Sequence, residues 1–91
     1  MKTFKDLVFE QHALDKEGRH AKLHFDNGYG VSVLTGGMYF YTRNNTYEVG
    51  ILKDGYLCYN TPITDDVLKY QTKEQVEEVM KKLQSYERDQ Y

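Results

Sequence analysis

The tripeptide Asp26-Asn27-Gly28 constrains this chain most, because it stands between two runs whose apolar residues alternate: Ala21-Lys22-Leu23-His24-Phe25 and Tyr29-Gly30-Val31-Ser32-Val33. Alternation is the period of a strand, and Asn-Gly between two strands is a hairpin signal. A two-residue Asn-Gly loop would pair Phe25 with Gly30 and Leu23 with Ser32, setting Lys22, His24 and Asp26 on the face of Tyr29, Val31 and Val33. A three-residue loop, with Gly28 left-handed at a bulge, pairs Phe25 with Tyr29, Leu23 with Val31 and Ala21 with Val33. One face is then wholly apolar. A slip of one residue exchanges the faces, so burial selects the second register. In that turn Gly28 is the residue hardest to replace, and Asn27 should cost less to remove.

The same test at Lys53-Asp54-Gly55 favours a three-residue loop that pairs Ile51 with Leu57 and Val49 with Tyr59. The alternative, Asp54-Gly55 as a two-residue loop, would pair Val49 with Asn60. An earlier strand is expected over Leu7 to Gln11, and another over Met38 to Thr42. Pro62 marks an extended crossover, and Thr64-Asp65-Asp66 reads as the cap of a short helical turn reaching Tyr70. Thr72 and Gln75 fit a capping box. Val76, Val79, Met80, Leu83 and Tyr86 then recur at helical spacing.

These elements predict a single α+β domain over residues 1–91: an antiparallel β-sheet of about five to six strands with one C-terminal α-helix packed on one face. Leu23, Phe25, Val31, Val33, Val49, Ile51 and Leu57 are the expected docking surface for the helix. The opposite face should meet water. No apolar run reaches the roughly 18–20 residues of a membrane span, and the first residues lack the apolar stretch of a signal peptide. A single cysteine, Cys58, leaves no intrachain disulfide. Together these favour a cytosolic protein.

Little in the chain points to chemistry. The net charge of −2, from 12 basic and 14 acidic side chains, argues against non-specific nucleic-acid binding. His20 and His24 are four apart on a strand, which separates them by roughly 13 Å and prevents a shared metal. Cys58 is expected to face away from the core or to fill a gap beside Gly50, with no base beside it in sequence. Gly28-Tyr29-Gly30 lies in a hairpin rather than between a strand and a helix, so it is no dinucleotide fingerprint. The chain is read as a non-enzyme without cofactor or metal.

Aromatic residues are the strongest functional lead, with nine tyrosines in 91 residues. Parity sends Met38 and Phe40 inward and Tyr39, Tyr41 and Arg43 outward, onto the face expected to hold Lys22, His24 and Tyr56. Tyr and Arg are the residues that dominate binding hot spots. These six residues are the candidate partner-binding set, against a simpler reading in which tyrosines only tolerate a half-buried sheet. An acidic surface of Asp65, Asp66, Glu74, Glu77 and Glu78 is the alternative.

Two segments carry a resemblance. Phe25-Asp26-Asn27-Gly28-Tyr29-Gly30-Val31-Ser32-Val33 and Thr61-Pro62-Ile63-Thr64-Asp65-Asp66-Val67-Leu68 resemble recurring segments of small uncharacterised accessory proteins of tailed bacteriophages. Tyr47-Glu48-Val49 and the capped helix from Thr72 to Leu83 extend the similarity. The resemblance implies a protein acting in the host cytoplasm by occluding a host or anti-phage defence protein. The runner-up is a binder that sequesters a nucleotide signal, with a tyrosine stacking on the base and Arg43, Lys22 and His24 meeting phosphate. Homo-oligomerisation stays open.

Overall fold

The computed structural model describes residues 1–14, 16–37, 42, 45–88 and 90–91. Among them, a short 3-10 turn (Phe4–Asp6) leads into β1 (Glu10–Gln11), β2 (Arg19–His24), β3 (Tyr29–Thr35), β4 (Tyr47–Lys53), β5 (Tyr56–Leu57), β6 (Leu68–Gln71) and the helix α1 (Lys73–Gln84). The strands form one antiparallel sheet in the order β1-β2-β3-β4-β5, with β6 also on β4. The fold class is the expected one.

The first hairpin takes the register that burial selects. Leu23 pairs with Val31 and Ala21 with Val33. The Phe25 amide donates to the Tyr29 carbonyl at 2.7 Å, the Gly28 amide to the Phe25 carbonyl at 3.1 Å, and Gly28 has φ 89°. β3 then pairs along its whole length with β4, placing Val31 beside Ile51 and Val33 beside Val49.

The second hairpin corrects its expectation. Lys53 pairs with Tyr56 and Leu52 with Leu57, so the loop has two residues, Asp54 (φ 51°) and Gly55 (φ 88°). Two successive left-handed residues make the primed turn whose twist suits a hairpin. Burial did not decide here because β5 lies at the margin of the helix-covered face, where little area is gained. Instead Leu57 falls on the far face with Leu52, which is 3% exposed, and Cys58 packs against the core. The expectations that Leu57 supports the helix and that Cys58 faces away or fills the gap at Gly50 are both overturned. Leu57 itself lies over Gly50, its Cδ2 3.0 Å from where a Cβ would stand.

Two further segments differ from their sequence readings. Leu7 to Gln11 pairs with β2 only at Glu10 and Gln11. Its earlier part turns away, burying Leu7 and carrying Phe4 and Phe9 onto Tyr47, with ring centroids 5.3 and 5.8 Å from it. The supposed helical turn before Tyr70 is a strand, β6, because the Tyr47–Val49 end of β4 otherwise lacks a neighbour. Tyr47 pairs with Gln71 and Val49 with Leu68, a three-against-four match that leaves a bulge with Tyr70 at φ 55°. The strand expected over Met38 to Thr42 falls at residues 38–41, outside the described residues. Thr42 is buried, and its hydroxyl donates to the Gly36 carbonyl.

The helix starts as its capping box dictates. The Gln75 amide donates to Thr72 Oγ1 at 3.1 Å, and the Thr72 amide to Gln75 Oε1 at 2.8 Å. Val76, Val79, Met80 and Leu83 are buried against Phe25, Tyr29, Val31, Val33, Val49 and Ile51. Burying a side chain of this kind contributes roughly 1.5–3 kcal/mol, so this stripe holds the helix to the sheet. At its far end Asn27 Nδ2 donates to the carbonyls of Leu83 (2.7 Å) and Tyr86 (2.9 Å), so the first hairpin loop caps the helix C-terminus.

Candidate partner-binding surface

Strand parity lays out the face away from the helix. Ala21, Phe25, Val31, Val33, Val49 and Ile51 point to the helix, so Lys22, His24, Gly30, Ser32, Gly50 and Leu52 point the other way. Register aligns them into cross-strand rows. One row runs His24, Gly30, Leu52, Leu57; the next runs Lys22, Ser32, Gly50. The centre of this face holds small or buried residues, and exposure concentrates at its margins. Lys22 and His24 are exposed on β2 and Leu57 (52%) on β5, with Tyr59 (44%) exposed just beyond the end of that strand. One margin is cationic or titratable, and the other is apolar and aromatic.

Tyr56 does not join Lys22 and His24. It is 80% exposed but pairs with Lys53, and so shares the parity of Ile51 on the helix side. It is also three strands from β2, roughly 14 Å at ordinary strand spacing. A single base stacked on Tyr56 could not present its phosphate to Lys22 or His24. Tyr39, Tyr41 and Arg43 lie outside the described residues. The two-residue turn is what moves Tyr56, and the signal was present in the sequence as Asp54-Gly55.

The acidic alternative is divided. Asp65 and Asp66 are exposed before β6, with the Asp66 amide donating to Thr64 Oγ1. Glu74 and Glu78 are exposed on the helix, Glu78 being 4.0 Å from Lys81. Glu77 is half-buried and accepts from the Phe4 amide at 3.2 Å, which makes it a structural tie to the N-terminal segment.

Histidine geometry is close but not that of a metal site. His12 and His20 stack edge to face with ring centroids 5.6 Å apart. His12 Nδ1 accepts from the Leu14 amide at 3.1 Å, so the neutral ring carries its hydrogen on Nε2 and offers no lone pair there. Among the described residues, no three His, Cys, Asp or Glu side chains are placed to hold a metal ion. Beside His20, where Leu7 to Phe9 leaves β2, a shallow cleft of about 290 Å³ is lined by Val8, Glu10, His20, Ala21 and Lys22. A second cleft of about 220 Å³ lies among Met1, Asp26, Asn27 and Gln84. Both fall below the roughly 300–1,000 Å³ usual for small-molecule sites.

An aromatic cluster at the tail escaped sequence reasoning. Tyr29 is fully buried, with Tyr86 edge-on at 5.5 Å, and Tyr86 meets Tyr91 at 4.9 Å. Burial, then the neighbouring Tyr91 and Tyr29, push the Tyr86 hydroxyl pKa above its ordinary value of 10.0. Only Tyr86 could have been foreseen, as the last member of the helical stripe.

Among the described residues, no helix is long and apolar enough to cross a membrane. No protein-family model matches the chain, and no curated protein and no solved structure matches it.

Proposed function

We propose that this protein acts by binding alone, as a small accessory protein of the tailed-bacteriophage kind that occludes a surface of a host or anti-phage defence protein in the host cytoplasm. The observation that supports this most is the helix-free face, with Leu57 exposed at one margin, Tyr59 exposed just beyond it, and Lys22 and His24 at the other margin. Large apolar and aromatic side chains held on a rigid sheet lose little entropy on docking and serve as anchors. Basic groups at the opposite margin steer and orient an acidic partner without adding much affinity. The partner that fits is a protein surface with an apolar projection flanked by carboxylates.

The test begins with mass spectrometry of what copurifies from infected cells, followed by titration of the recovered protein. Leu57→Ala with Tyr59→Ala should weaken binding by about 2 kcal/mol or more, roughly thirty-fold, if these are hot spots. Lys22→Glu should mainly slow association and alter its salt dependence. A folded double variant with wild-type affinity removes this face from the reading. Recovery of no host protein, at a sensitivity that recovers the target of a known inhibitor, removes the reading itself.

A further inference from the structure

The tail after the helix does more than trail. The Tyr91 amide donates to the Tyr29 hydroxyl at 2.8 Å, and that hydroxyl lies 3.4 Å from the Tyr91 carbonyl oxygen, to which it donates. Lys53 Nζ donates to the same carbonyl at 2.7 Å and stands 5.5 Å from the centre of the Tyr29 ring. The Tyr91 ring rests against Tyr86. The protein therefore reads both main-chain polar groups of one residue, and its ring, with three side chains fixed on β3, β4 and the end of the helix. Apart from the ring, nothing in these contacts depends on which residue is bound. That is the chemistry of a site for an aromatic residue in a peptide.

Among the described residues that lead to it, Glu87 and Gln90 bond each other, the Glu87 amide donating to Gln90 Oε1 at 2.9 Å and the Gln90 amide to the Glu87 carbonyl at 3.2 Å, which ties the segment to itself rather than to the sheet. Glu87, Arg88 and Gln90 are exposed; Arg88 reaches the Asp26 carbonyl at 3.4 Å and Asp54 at 4.0 Å across a largely exposed pair. Exposed pairs of this kind contribute little. We propose that Tyr91 is a latch: it occupies a peptide notch formed by Tyr29, Lys53 and Tyr86, and its release opens the notch to an aromatic residue on an extended segment of a partner protein. The sense is autoinhibitory, because a tethered tail competes at an effective concentration on the order of millimolar. This notch lies on the helix side of the sheet, so it stands or falls independently of the partner-binding face described above.

The probe is an N-acetylated, C-amidated peptide spanning residues 87–91. It should bind full-length Tyr91→Pro protein, which lacks both the amide donor and the ring, with a dissociation constant in the millimolar range or tighter, and bind the wild type at least about three-fold more weakly because the native tail competes. NMR shifts of Tyr29 and Lys53 report the binding. Adding Tyr29→Phe, which keeps the buried ring and removes the hydroxyl, should weaken the peptide at least about three-fold. Equal binding to wild type and Tyr91→Pro, no binding at several times the millimolar range, or indifference to Tyr29→Phe overturns the latch. A measurement on the wild type guards against a misfolded variant. The Tyr91 amide should exchange with solvent at least about 100-fold faster than those of Val31 and Ile51, as a segment that opens locally does. Exchange at the rate of the core amides overturns the latch as well.

Discussion

Replacing Asn27 with alanine removes one side chain that serves three backbone groups on two elements. Its Nδ2 donates to the Leu83 and Tyr86 carbonyls, and its Oδ1 accepts from the Tyr29 amide at 3.1 Å. The two carbonyls end a helix at the half-exposed tail, where water can take over part of the bonding. The Tyr29 amide belongs to a fully buried residue and has no such recourse. One stranded donor at about 1–3 kcal/mol, plus partial loss of two bonds worth about 1 kcal/mol each, gives about 2–4 kcal/mol. For a domain of this size that lowers Tm by roughly 8–32 °C. Gly28→Ala, strained at φ 89°, should cost about 1 kcal/mol or somewhat more. The order is thus the reverse of what the turn alone suggests. Urea denaturation of both variants, compared at unchanged m-value, measures it. An Asn27→Ala midpoint within about 0.5 kcal/mol of wild type would refute the capping argument. Asn27→Asp sharpens the test, because a carboxylate facing two carbonyls has its pKa raised by folding. Its deficit should appear as pH rises past the unfolded carboxyl pKa and shrink in acid as the group protonates and can donate again.

Other perturbations separate packing from surface. Gly30→Ala would set a Cβ 2.5 Å from the Leu23 carbonyl oxygen, a backbone atom, so it should destabilise by about 1–3 kcal/mol in the same denaturation assay. Leu83→Ala, at a fully buried position, should cost about 2–5 kcal/mol, whereas Glu78→Ala should stay within about 0.5 kcal/mol. Glu77→Ala, which frees the Phe4 amide, should fall between them, at about 1 kcal/mol. Spectrophotometric titration should show a tyrosine ionisation above pH 10.0 that Tyr86→Phe removes. Because folding raises that pKa, its contribution is intact below pH 10.0 and stability falls as pH climbs through the folded value.

What the sequence made legible follows from where burial was decisive. The first hairpin lies under the helix, so a wrong register would have split Leu23 from Val31 and Val33 onto opposite faces and left one set in water, and the pattern alone identified the pairing. Thr72 and Gln75 announced the helix start for a similarly local reason. At β5 the same criterion misled, because a marginal strand gains little from burial and the turn's own twist preference took over. Tyr56 was consequently assigned the wrong face. The paired use of β4 by β5 and β6 is a tertiary choice that no local signal encodes, and a segment with aspartates and a following strand looks like a cap with a following turn. Tyr29 clasping Tyr91 joins residues 62 apart, beyond the reach of any periodicity.

The arrangement of strands about β4 bears on how this protein behaves at high concentration. A seven-residue strand with one bare side would template a neighbouring chain along its length. Here that side is divided between β5, ended by a tight turn, and β6, interrupted by the Tyr70 bulge, so no long straight ladder continues outward. At the opposite margin β1 covers only Arg19 and His20 of β2, but the next exposed positions are Lys22 and His24, and Lys2 Nζ takes the His24 carbonyl at 3.3 Å. Bulge, short strand and lysine are recognised obstacles to strand addition. Among the described residues the sheet is therefore finished at both margins, which favours association through side chains. Fibrils and strand-exchanged dimers should be rare even in crowded preparations, so aggregation on heating reports the unfolded chain rather than growth of the native sheet.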